Sequence, residues 1–346
     1  MEREQQYCYL LTLKGVMRMK RVSLFIVGIL LVFLILWQAD FYEVLEGLKD
    51  FSIPLLITTC LLQLITILTI NFQWYKLAIQ MGERIPLRKI LHINLIGTFV
   101  ESITPSNKAG GELTKVLLLR AKLSFSTSKA TALVTLQKTI SSTVFIFLNL
   151  IAIMWFLLTI KREGLHLQVL LIIFFCGVLI LILAGLFILY PAKFYNLIAK
   201  IPISERIKGK IEDTIFMLRN NLKEIIENKK ILWEQILLSL LIWILFPIKA
   251  YLIIKGLSID ISFVAAGVVT YLTYMVGMLP LLPGGVGTVE GSIVFFLLPM
   301  GVAASDGMAV ALILRFVTFW FVFLLSACYM GYQELIKVVR SKRIAK

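Results

Sequence analysis

Long apolar runs separated by short polar connectors set the pattern of this chain. Val22 to Ala39, Phe51 to Trp74, Ala130 to Ile160, Leu167 to Tyr190, Leu232 to Ile254 and Gly307 to Gly331 are each long enough as helices to cross about 30 Å of hydrocarbon. They predict six membrane spans. Two other apolar segments break this rhythm. Ile90 to Ile103 is only 14 residues, carries Glu101, and runs into Pro105-Ser106-Asn107-Lys108-Ala109-Gly110-Gly111-Glu112; Leu113 to Leu123 then holds Lys115, Arg120 and Lys122 among leucines. A hairpin over about 90–123 that enters and leaves by one face accounts for both arms, and a surface loop with an interfacial helix is the alternative. The second break is Leu279-Pro280-Leu281-Leu282-Pro283-Gly284-Gly285-Val286-Gly287-Thr288-Val289-Glu290-Gly291, between Ile261–Leu282 and Val289–Val302. Proline removes a backbone donor and glycine raises the entropic cost of order, so a helix cannot run through it. Irregular backbone at membrane depth survives only where protein or a water-filled cavity surrounds it. Ile261 to Leu282 is either a half-helix or a full crossing.

Between 191 and 231 the period changes. Ile207, Ile211, Ile215, Leu218, Leu222 and Ile225 fall on one helical face, opposite Arg206, Lys208, Lys210, Arg219 and Lys223. This connector either lies on the cytoplasmic surface or packs beneath the bundle.

Charge orients the spans. Of 35 Lys and Arg residues, 28 fall on one proposed side, four (Lys49, Lys161, Arg162, Lys255) on the other, and three (Lys138, Lys249, Arg315) inside spans. The basic side is cytoplasmic by the positive-inside rule, so both termini are expected in the cytoplasm of a multi-pass cell-membrane protein. Parity then starts and ends 261–306 outside, and 90–123 inside. Residues 1–166 and 167–346 each read as span, span, hairpin, span, with directions reversed. The expected fold is an all-α polytopic membrane protein with six full spans, two re-entrant hairpins and an inverted-topology repeat, whose broken helices meet near the midplane as a substrate site.

Composition agrees: 59% hydrophobic, 16% charged, with a mean hydropathy of +0.91. The net charge of +15 is explained by span-end lysines and arginines, and no basic segment forms a nucleic-acid-binding module. Cys8, Cys60, Cys176 and Cys328 have no CxxC spacing and read as small packing residues, while His92 and His166 lack a nearby ligand cluster. Without a catalytic constellation, P-loop or nucleotide lobe, neither enzymatic activity nor a metal or cofactor is expected.

The ionisable residues near the two breaks are the candidate site. Arg315 stands eight or nine residues into a span, where an unpaired charge costs several kcal/mol, so it must face protein or water. It either binds a phosphate or carboxylate headgroup or forms a fixed salt bridge to Glu290 or another acid; the two are compatible if substrate displaces the acid. Glu290 and Glu112 each follow a glycine-rich break and are either first-turn caps or counter-charges during transport. Glu101 and Lys108 flank the first break, with Lys108 either meeting an anionic headgroup or snorkelling to the interface. Lys138 and Lys249 lie within reach of span ends and are expected to snorkel. Trp74, Tyr75, Trp233, Tyr251 and Tyr332 read as interfacial anchors. Gly110, Gly111, Gly284 and Gly285 complete the candidate set as the backbone of the two tips.

Taken together, Thr104-Pro105…Ala109-Gly110-Gly111-Glu112…Leu119-Arg120, Leu282-Pro283-Gly284-Gly285-Val286-Gly287-Thr288-Val289-Glu290-Gly291 and Ala311-Leu312-Ile313-Leu314-Arg315 resemble a flippase-like integral membrane family related to the transmembrane region of lysylphosphatidylglycerol synthases. The resemblance spans almost the whole chain. It implies movement of a lipid between leaflets, with lysylated phospholipid the substrate type of the synthases and polyprenyl-linked sugars associated with some other relatives. The sequence shows no aminoacyl-transferase domain after the membrane region, so lipid aminoacylation is not implied. The expected partners are membrane lipids with an anionic or zwitterionic headgroup or a polyprenyl phosphate. The alternative is a non-transporting membrane partner or regulator of a lipid-modifying or glycosylating enzyme.

Overall fold

A computed structural model describes residues 49, 51–104, 109–159, 175, 178–179, 205–278 and 283–344. Among these, the regular elements are all helical: α1 (Ile53–Gln80), α2 (Leu87–Ile103), α3 (Ala109–Leu123), α4 (Thr127–Thr159), α5 (Glu205–Glu227), α6 (Lys229–Gly256), α7 (Phe263–Gly277), α8 (Thr288–Leu297), α9 (Ala304–Arg315) and α10 (Phe321–Ile344). Helices α1, α4, α6 and the continuous stretch Ala304–Gln333 are long and apolar enough to cross a membrane. The expected spans at 22–39 and 167–190 fall outside the described residues, apart from 175, 178 and 179 of the second.

The polarity of α1 is turned inside out. Ile53, Ile57, Leu61, Ile65, Leu68 and Phe72 form an exposed apolar stripe, whereas Thr59, Gln63, Thr66 and Gln73 are buried. A helix bathed in water does the reverse; one bathed in lipid leaves its apolar stripe outside without penalty and directs polar groups toward partners. Those partners are present. Gln73 Nε2 donates to Ser239 Oγ of α6 at 2.7 Å, and Gln137 Nε2 of α4 donates to Gln73 Oε1 at 3.1 Å. The helix stops in a Schellman turn, with Gly82 at φ 77° and the Glu83 N–H donating to the Ala78 carbonyl at 2.8 Å.

Helices α2 and α3 pack directly on each other, as the hairpin expectation requires. Gly111 makes this contact possible, since a Cβ there would lie 2.7 Å from both the Gly97 carbonyl oxygen and Glu101 Cβ. One expectation is corrected here. Gly110 and Gly111 belong to the first turn of α3 rather than to the break, because small residues in a helix serve close approach as well as they serve a turn. The remainder of the expected break, Pro105 to Lys108, lies outside the described residues.

α5 packs along α4 and buries Leu218, Leu222 and Ile225, so the amphipathic connector is seated against the bundle. α7 and α8 have 15 and 10 residues, or about 22 and 15 Å, each shorter than a hydrocarbon core. They pack on each other and around a core that also includes α6 and α9. A five-residue π-helical segment, Phe316–Trp320, joins α9 to α10. Trp74, expected at an interface, is instead 2% exposed in the core formed by α1 to α5, because α1 continues to Gln80. Of the cysteines expected to pack, Cys60 is half-buried and Cys328 exposed, and Cys8 and Cys176 lie outside the described residues.

Candidate functional site

Glycine chemistry builds the tip of the second hairpin. Pro283–Gly285 forms a single 3-10 turn, and Gly284, Gly285 and Gly287 have φ of 62°, 67° and 83°, a region that side chains disfavour. Gly284 also lies against its surroundings, where a Cβ would stand 2.9 Å from Phe319 Cζ and 3.8 Å from the Ser102 carbonyl oxygen of α2. The two broken regions therefore touch. α8 begins immediately afterwards, and its third residue, Glu290, turns back to accept the Gly287 N–H at 2.7 Å through Oε2. Gly287 has no side chain to return the bond, so only the carboxylate half of a capping box is present.

The same carboxylate accepts from Arg315. Nε of Arg315 reaches Glu290 Oε1 at 3.0 Å, Nη2 donates to the Gly284 carbonyl at 2.5 Å, and the guanidinium lies 4.4 Å from the centroid of the Phe319 ring. Arg315 and Glu290 are 8% and 4% exposed, so the pair is buried. Of the two readings of Arg315, the salt bridge to Glu290 is realised. It ties the hairpin tip to the point where α9 gives way to the π-helical segment, a kind of distortion frequent at functional sites.

Arg315 nevertheless borders open space. It lines a cavity of about 200 Å³ together with Gln63, Glu101, Ser102, Thr104, Tyr274, Gly284, Gly285 and Thr318, so both breaks contribute to one wall. A neighbouring cavity of about 240 Å³ shares Gln63, Thr98, Glu101, Phe246, Met278, Thr318 and Val322 with it and extends to Asn71, Asn94, Glu112, Lys115, Gln137 and Lys138. In this second chamber Glu112 Oε1 stands 3.4 Å from Lys115 Nζ and 3.6 Å from Lys138 Nζ, while Oε2 is buried without a hydrogen bond. Glu112 is thus a counter-charge to two lysines. Lys115 is itself buried and lies 5.6 Å from the centre of the Trp74 ring. Lys138, expected to snorkel, turns toward Glu112.

Lys249 also departs from expectation. It is fully buried: its ammonium donates to Gln63 Oε1 and to Thr66 Oγ1, the latter at 3.1 Å, and lies 4.2 Å from the centroid of Phe246. Snorkelling fails because α1 presents a polar face to this level of α6, which satisfies the ammonium locally. Gln63 and Lys249 are the site residues the charge-by-charge reading missed, although Thr59, Gln63, Thr66 and Gln73 already lie at helical spacing within an apolar run.

Of the expected site residues, Arg315, Glu101, Gly284 and Gly285 share the first chamber, with Glu290 directly behind Arg315; Glu101 and Glu112 share the second. Gly110 and Gly111 lie behind Thr104 and Glu101 as packing positions. Lys108 lies outside the described residues.

Residues 22–326 match the family described as the lysylphosphatidylglycerol synthase TM region. The chain belongs to that family. Within it, the sequence is 24% identical over 324 residues to a UPF0104 membrane protein of Methanothermobacter thermautotrophicus, covering 88% of this chain and 93% of that one. It is 25% identical over 320 residues to a UPF0104 membrane protein of Pyrococcus horikoshii, covering 87% and 94%. A UPF0104 membrane protein of Methanocaldococcus jannaschii is 24% identical over 307 residues, 87% and 91% of the two chains. The family match reaches from the first expected span into α10, so it includes both hairpins and every charged residue of the two chambers.

Proposed function

We propose that this membrane protein is a lipid translocase that carries a headgroup through the two-chambered cavity while the acyl chains stay in lipid. The observation that carries the reading is the meeting of two broken elements, α2–α3 and α7–α8, around a polar space lined by Arg315, Glu101, Glu112, Lys115 and Lys138 within a lipid-facing helical bundle. A buried polar cavity in such a bundle is costly to maintain, and a headgroup is the polar part of any lipid that must pass the hydrocarbon. The inverted arrangement of the two halves, with six spans and cytoplasmic termini, fits this use because opposed hairpins offer each leaflet an equivalent entrance. The activity needs no cofactor and breaks no covalent bond. The family's relation to the transmembrane region of lysylphosphatidylglycerol synthases supports a lipid as cargo.

Reconstitution in liposomes with headgroup- or chain-labelled lipids tests this. The wild type accelerates exchange between leaflets, and Arg315→Ala and Glu290→Ala slow it at equal protein density. No acceleration by the wild type, or wild-type rates in both variants, overturns the reading.

A further inference from the structure

Lys249 has no carboxylate partner among the described residues, although it is 0% exposed. Its surroundings are those of an ammonium. The Thr66 hydroxyl already commits its proton to the Leu62 carbonyl at 2.9 Å, so toward Lys249 it is only an acceptor. The Phe246 ring face is negative, and Gln63 Oε1 completes the set. Three acceptors surround three N–H donors, with neutral dipoles rather than an anion balancing the charge.

This arrangement fixes Gln63. Its carbonyl oxygen is held by Lys249, so its amide N–H₂ is directed away, and no hydrogen bond among the described residues uses that nitrogen. Gln63 lines both chambers, and Phe246, beneath the ammonium, lines them too. A pair of unused amide donors, backed by a lysine with no carboxylate partner among the described residues, therefore stands where the chambers join, a junction the Glu101 carboxylate also lines. Amide donors beside an uncompensated cation suit an oxyanion.

We infer that Gln63, held in orientation by the positioning residue Lys249, is a binding group for a phosphate-bearing headgroup at the junction of the two chambers. The inference rests on the proposed translocase reading for its source of phosphate, but its test does not require transport. The purified protein is assayed for binding of phosphatidylglycerol, of phosphatidylethanolamine and of a neutral glucosyl diacylglycerol, with glycerol 3-phosphate and inorganic phosphate as soluble competitors. The wild type prefers both phosphate-bearing lipids over the neutral one by about tenfold or more, the scale of one charge-assisted hydrogen bond. Gln63→Glu keeps the acceptor for Lys249 and the side-chain size but removes both donors; it retains the wild-type unfolding midpoint or raises it and loses the preference. Lys249→Met frees the amide to rotate and loses the preference as well, while binding of the neutral lipid is unchanged. Competition by the soluble phosphates at the lipid's own concentration assigns the site to a free phosphate ester, and failure to compete assigns it to a lipid headgroup; both results retain the phosphate chemistry. A wild type without preference, or a folded Gln63→Glu that keeps it, overturns the inference. If the preference behaves as expected but no lipid crosses a bilayer, the translocase reading fails alone; if lipids cross and Gln63→Glu leaves selectivity intact, this inference fails alone.

Discussion

Replacing Glu290 by glutamine is the sharpest perturbation of the ion pair at the hairpin tip. The carboxylate accepts two hydrogen bonds through different oxygens, from Arg315 Nε at 3.0 Å and from the Gly287 N–H at 2.7 Å. Glutamine keeps one acceptor and turns an N–H₂ toward the other donor, so at least one charge-assisted bond of about 1.5–3 kcal/mol is lost. The guanidinium, 8% exposed, keeps the Gly284 carbonyl and the Phe319 face but no longer has an anion. Leaving one member of a buried pair costs about 3–5 kcal/mol in measured cases, and that is the destabilisation expected for Glu290→Gln. Adding Arg315→Met removes the orphaned charge and supplies a thioether to pack on Phe319, so the double variant regains about 2 kcal/mol of that loss. Unfolding by SDS titration from mixed micelles, followed by helical circular dichroism, measures both. If single and double variants unfold within about 0.5 kcal/mol of one another, the pair is not coupled as described.

Three further outcomes follow from local geometry. Gly284→Ala meets both a positive φ and Phe319 Cζ at 2.9 Å, whereas Gly301→Ala meets a positive φ of 85° with nothing within 4 Å; the same titration finds Gly301→Ala down by about 1 kcal/mol and Gly284→Ala by at least twice that. Gly111→Ala drives a methyl into the backbone of α2 at 2.7 Å, whereas for Gly97→Ala the nearest atom is a side-chain carbon, Lys115 Cγ, at 2.6 Å; a side chain repacks more readily than a helix backbone, so Gly111→Ala is the more destabilising, by about 1–3 kcal/mol against wild type. Asp260, in the loop after α6, accepts from Lys255 at 2.7 Å, and that hydrogen bond, reinforced by the lysine charge, holds its carboxyl below the usual range. Its contribution is present above the unfolded carboxylate pKa of about 3.9 and is lost as pH falls through the lower folded value. The side chain is fully exposed and the pair is screened by solvent, so Asp260→Asn lowers the neutral-pH midpoint only slightly, and variant and wild type converge as pH falls through the acid limb of a pH–stability curve.

The features legible in the sequence are those where one residue type has few physical alternatives. A positive φ at three of five consecutive positions calls for glycine, and Gly284, Gly285 and Gly287 supply it. An arginine within an apolar run needs an acid or water, and Glu290 is the acid beside the tip. Legibility failed where a residue has two good solutions. Gly110 and Gly111 serve a turn or a tight helix contact equally well, and the contact is decided by Gly97 and Glu101 in the neighbouring helix. Lys249 lies six residues before Lys255, which suggested escape to the interface, but its fate is set by Gln63 and Thr66, more than 180 residues away in the chain. Trp74 was misplaced for a simpler reason: apolar character falls off near it while α1 continues to Gln80.

The charges in the two chambers are not equivalent, and in the proposed translocase the difference bears on how a headgroup is held. Arg315 is already neutralised by Glu290, and Lys115 and Lys138 face Glu112, so the proposed phosphate cargo would meet cations that have internal anions to return to. Displacing those anions would offset part of the attraction and keep the bound state of the proposed carrier shallow. Shallow binding suits a carrier that must let go on the far side, since a site that held its cargo tightly would slow release. Among the described residues Lys249 has no carboxylate partner, and it contacts Gln63 and Phe246, which line the chambers. In the proposed translocase, selectivity and release fall to different groups: Gln63, oriented by Lys249 behind the wall, selects the phosphate, and exchangeable ion pairs along the wall pass it on.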